Sequence, residues 1–113
     1  MIPEKRNFRR FKLREGALVG RLDQAHAVDV VDLSVGGAAL RTDQRFAVGS
    51  EYAMRLEILE GGIDVRGVVV RSRMIGTGEL YHGERGTVYA AAMRFHEGSE
   101  DQIADFICGA ILA

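Results

Sequence analysis

The sequence predicts a mainly β protein, a small antiparallel β-barrel of six or seven strands with a C-terminal α-helix. Three observations carry that prediction. Short apolar runs with period-two alternation recur along most of the 113 residues; Gly-rich turn signals separate them; and the period changes to that of a helix only near the end. With 47% hydrophobic residues the chain is large enough for one compact domain with its own core.

Residues 1 to 10 hold the only proline, Pro3, and little periodicity, so they read as a flexible basic arm. Phe11 and Leu13 then alternate with Lys12 and Arg14, and Ala17 to Leu22 continues the strand after a bulge or bend at Glu15-Gly16. Valine-rich Ala27 to Leu33 runs into a glycine motif, and Ala38 to Thr42 resumes beyond it. Phe46 to Ser50 is a loop. Tyr52 to Leu59 has the cleanest alternation in the chain, and the turn Glu60-Gly61-Gly62 joins it to a long strand, Ile63 to Ile75, with Arg66, Arg71 and Arg73 facing solvent. Residues 76 to 86 read as a glycine-rich polar loop and Thr87 to Phe95 as a core strand of small residues. Ser99 and Gln102 have capping-box spacing, and Ile103, Phe106, Ile107 and Ala110 share one face of a helix expected over about 100 to 111. That helix is expected to cover an opening or edge of the sheet.

The net charge of −1 conceals an asymmetry. Lys5, Arg6, Arg9, Arg10, Lys12 and Arg14 fall within ten residues that contain no acid, which leaves nine positive against 16 acidic residues elsewhere, a body at −7. Such a body repels a long polyanion, so general DNA or RNA binding is disfavoured and a small anionic ligand fits better. No apolar run approaches a membrane span and no secretory h-region follows the basic start, so a cytoplasmic protein is expected. A lone cysteine, Cys108, excludes an internal disulfide and a multi-cysteine metal site; it reads as a small core residue of the last helix.

Catalytic machinery is hard to find. His26, His82 and His96 are scattered without metal-ligand spacing, and Ser34 lies in no Gly-x-Ser-x-Gly elbow. Phosphate-loop and dinucleotide fingerprints are missing, so a non-enzyme without a metal is expected. The chemistry concentrates instead in Asp32-Leu33-Ser34-Val35-Gly36-Gly37 and the arginines ahead of it. A carboxylate can accept two hydrogen bonds from a base edge, a hydroxyl can donate or accept, and glycines admit a ligand close to the backbone. Arginines supply forks for phosphate and flat faces for stacking. Together these describe a nucleotide site.

These residues resemble the PilZ domain family, small bacterial barrels that bind cyclic di-GMP. That family carries an Arg-x-x-x-Arg motif before its first strand, matched by Arg6 to Arg10, and an Asp/Asn-x-Ser-x-x-Gly motif about two dozen residues later, matched at Asp32, Ser34 and Gly37. Arg10 and Arg14 also have the first spacing. Chance would produce both motifs in on the order of one chain in a thousand. The resemblance spans nearly the whole chain, with one departure: Ala92-Met93-Arg94-Phe95 stands where the family commonly has Gly-x-x-Phe, a change expected to touch barrel details more than ligand binding. It implies a cyclic di-GMP receptor with no further cofactor, in which Arg6 and Arg10 fold over the ligand and Arg9 assists. Asp32 then accepts from a guanine's N1 and N2 donors, Ser34 contacts base or phosphate, and Gly36 and Gly37 keep the loop low. Ordering of the arm would be read by a downstream protein or through homodimerisation. A protein-interaction barrel that binds no nucleotide is the alternative; an oligonucleotide-binding barrel is disfavoured by 7% aromatics and the acidic body.

Overall fold

The computed structural model describes residues 9–14, 16–23, 26–58, 61–79 and 84–112. Arg6, most of the predicted arm, His82 and the end of the predicted strand at Leu59 lie outside the described residues. Seven strands precede one helix: β1 (Phe11–Lys12), β2 (Val19–Leu22), β3 (His26–Leu33), β4 (Gly37–Thr42), β5 (Glu51–Ile58), β6 (Gly61–Glu79), β7 (Arg85–Phe95) and α1 (Glu100–Ala110). All pair antiparallel, in the order β1-β3-β2-β5-β6-β7-β4, and a further β3–β4 pairing closes six of them into a ring. β1 and β2 lie end to end along the same edge of β3, opposite Asp32–Leu33 and His26–Asp29 respectively. The break between them includes Gly16, whose φ of 77° suits glycine and whose N–H donates to Asp29 Oδ1 at 3.0 Å.

The alternation read from the sequence explains the packing. In β5 the inward Met54 and Leu56 are fully buried. Outward arginines pair across strands, Arg21 with Glu57 and Arg55 with Asp64. From β3 and β4 come Val28, Val30, Leu33, Ala38 and Leu40; β6 and β7 add Val65, Val69, Ala91, Met93 and Phe95. α1 completes this core with Ile103, Phe106 and Ile107 and so closes it off.

Three details differ from the sequence expectation. Strand structure continues through 76–79 and resumes at Arg85, because glycine in an extended ribbon need not make a loop; Gly76 sits at a bulge between Met74 and it, with φ 139°. Ser99 makes no side-chain cap; Glu100 Oε1 instead accepts from the Gly98 N–H at 2.8 Å. Cys108 is exposed, one position past the buried Ile107 face. No helix among the described residues is long and apolar enough to cross a membrane.

Candidate functional site

β3 delivers Asp32 to the rim of the barrel, and the chain turns through Ser34, Val35 and Gly36 into β4. The turn is fixed from within. Ser34 is buried, its Oγ accepts from the Gly36 and Gly37 N–H groups at 3.2 Å each, and its own N–H donates to the Gly37 carbonyl at 2.9 Å. The Gly36 carbonyl in turn accepts from Phe95 N–H at 2.9 Å, tying the turn to β7. Gly37 lies so close to β7 that a Cβ there would press into the Met93 carbonyl oxygen. The spacing of a hydroxyl two and three residues before the glycines is therefore what a tight, side-chain-closed turn needs.

Arg10 reaches this turn from the other side. Its Nε lies 3.1 Å from Asp32 Oδ1, an ion pair in which the guanidinium is half-exposed and the carboxylate mostly covered. The N–H is not aligned for a hydrogen bond, and Asp32 Oδ1, buried beside the guanidinium, has no hydrogen-bond partner among the described residues. The neighbouring Arg9 guanidinium stacks over the Phe11 ring, 5.0 Å from its centroid.

Arg10, Ser34, Val35, Gly36 and Gly37 line one wall of a cleft of about 680 Å³, within the range of small-molecule sites. Of the arginines that share the four-residue spacing, Arg10 lines it and Arg14 does not; Arg6 lies outside the described residues. The sequence reading missed the opposite wall. Val70, Arg71, Ala92 and Arg94 form it from β6 and β7, with His96, Glu97 and Glu100 at the end nearest α1. A bulge between Val69 and Arg71 leaves Val70 without a β7 partner and gives it 40% exposure. Alternation marked Arg71 as solvent-facing, but nothing in the sequence shows that β6 and β7 lie beside the Asp32 turn. Ala92, the family-motif departure, lies in the cleft wall. Among the described residues no group of three or more His, Cys, Asp or Glu side chains could hold a metal ion.

Fold and cleft together define a class: a closed antiparallel barrel whose core is completed by a C-terminal helix, with an arginine-walled cleft at the β3–β4 turn. The chain belongs to the PilZ domain family, whose family model matches residues 4–109. No curated protein matches the sequence. Among solved structures it is similar to the PilZ domain of YcgR from Escherichia coli with c-di-GMP, at TM-score 0.69 and 15% identity over 95% of this chain and 92% of that one. It is also similar to K. pneumonia MrkH in complex with c-di-GMP, at TM-score 0.68 and 22% identity, and to MrkH in its apo state, at 0.63 and 22%. These cover 98% and 91% of this chain but 54% and 48% of MrkH, so the chain spans about half of that protein.

Proposed function

We propose that this domain is a receptor for cyclic di-GMP, binding it between the Arg10 side and the Asp32 turn and signalling without catalysis. The observation that carries this reading is the Asp32 carboxylate, set against Arg10 with one oxygen that no described residue hydrogen-bonds. A guanine edge offers two adjacent N–H donors, the complement of a carboxylate, while the guanidinium offers a fork to phosphate or to O6/N7 and a face to stack on. Arg6 and Arg9 add charge, and Gly36 and Gly37 let the ligand sit low on the turn. Ser34, with its hydroxyl engaged in the turn, supports the site by holding those glycines in place. The c-di-GMP complexes of YcgR and MrkH favour this ligand over other cyclic dinucleotides. Binding would order the N-terminal arm over the cleft and alter the surface that a protein partner meets.

Calorimetric titration tests the reading. Cyclic di-GMP should give a saturable isotherm, with cyclic di-AMP at least tenfold weaker because adenine presents an acceptor where guanine presents N1–H, a loss of about 1.4 kcal/mol or more, and GTP weaker too because it offers a single guanine and no cyclic pair of phosphates. Equal heats from cyclic di-GMP and cyclic di-AMP would remove Asp32 from base recognition.

A further inference from the structure

The arginines of the cleft do not stop at its edge. Strand register places Ala39, Ala92 and Arg71 in one row across β4, β7 and β6, and Arg41, Ala90 and Arg73 in the next. Ala38, Met93, Leu40 and Ala91, one residue out of step with those rows, belong to the buried core, so the rows lie on the outer face. Arg94 precedes them on the same face, opposite Gly37 and Val68. The result is a shallow track with alanines along its middle, entering the cleft at Arg94 and Arg71 and leaving it at Arg73. Arg71, Arg73 and Arg94 are exposed, and none has an acidic partner among the described residues, whereas Arg21, Arg55 and Arg66 elsewhere on the barrel each have one. Three cations along one sheet face, with no acidic partner among the described residues of a chain of net charge −1, mark a surface shaped for negative charge.

We propose that this track docks a short acidic segment of a partner protein in extended form, and that cyclic di-GMP displaces it because Arg71 and Arg94, which line the cleft, serve both. The coupling rests on the receptor reading above; the docking does not. Alanines let an extended backbone approach the sheet, and guanidinium forks match carboxylates two by two. A protein segment fits better than nucleic acid for two reasons on this face. The middle of the track offers no aromatic ring on which bases could stack, and the acids beside the cleft, Glu97, Glu100 and Asp101, confine the positive charge to a stretch that a short segment spans and a long polyanion overruns. Two ligands that share positive groups are antagonists, each lowering the affinity of the other by the same factor.

The test uses the intact chain and a fluorescein-labelled deca-glutamate peptide, followed by anisotropy at low ionic strength. The wild type should bind the peptide, and saturating cyclic di-GMP should release it. Arg73 lies outside the cleft, so Arg73→Glu should weaken the peptide by about tenfold or more through like-charge opposition while leaving cyclic di-GMP affinity within about twofold. Arg73→Gln, with no new charge, should fall between. Unchanged peptide affinity in both variants overturns the docking track, and tighter binding of a ten-residue oligothymidylate assigns it to nucleic acid instead. Peptide retained in the presence of bound cyclic di-GMP overturns the antagonism. Peptide binding that depends on Arg73 in a protein that takes up no cyclic di-GMP leaves the track standing and removes the receptor reading.

Discussion

Arg10 and Asp32 come from segments 22 residues apart and meet at 3.1 Å, which makes each of them testable separately. Arg10→Ala should cost at least ~2 kcal/mol of cyclic di-GMP binding, roughly thirtyfold, the scale for truncating a charged hydrogen-bonding group at a small site. Calorimetry showing full affinity in that variant would exclude the arginine from the site. Asp32→Ala should weaken binding comparably and leave folding almost alone, because the ion pair it removes is half-exposed and contributes under about 1 kcal/mol. A thermal midpoint lower by more than about 8 °C would instead make Asp32 a structural residue of the turn. Gly37 has the opposite profile: Gly37→Ala forces a methyl against the Met93 carbonyl. It should cost ~2 kcal/mol or more by overpacking, visible in urea denaturation whether or not ligand is present. Residue identity alone could not separate these roles. One motif supplied Asp32, Ser34 and Gly37, and only the backbone path shows that the hydroxyl closes the turn and the last glycine admits β7.

The elements were legible where alternation was clean and obscure where glycine intervened. Tyr52 to Leu59 declared itself because every second residue is apolar up to Ile58 and no glycine interrupts it, and the described strand runs from Glu51 to Ile58. Gly76 and Gly78 look like punctuation and predict an end to β6 at Ile75, yet both lie within the ribbon, opposite Val88 and Gly86. Bulges are equally silent in a sequence: the one that frees Val70 toward the cleft follows from unequal strand paths, not from a residue type. The helix was clearer, since Ile103, Phe106 and Ile107 repeat at helical spacing, and all three are buried. By completing the core, α1 should contribute to global stability. Ile103, with no exposed surface, should cost ~2–5 kcal/mol when cut to alanine. Urea unfolding at unchanged midpoint in Ile103→Ala would mean that the barrel does not need its helix.

At the scale of the whole molecule, ring closure does what no local pattern announces. Pairing of β3 with β4 at one end of the strand order and with β2 near the other removes most free edges and brings the Asp32 turn beside β7, where Ala92 and Arg94 complete the cleft. The sequence supported a barrel and pointed to one wall of the cleft; the other wall depended on which strands become neighbours. Charge follows the same division, with basic side chains along the cleft and its track, and acids at the start of α1. The central claim is that the Arg10 side and the Asp32 turn enclose one kind of ligand. The most direct measurement is a calorimetric titration of cyclic di-GMP into the wild type and into the Arg10→Ala, Asp32→Ala double variant. The account predicts a saturable isotherm from the first and none from the second, with both proteins folded; equal isotherms, or no heat from the wild type, would contradict it.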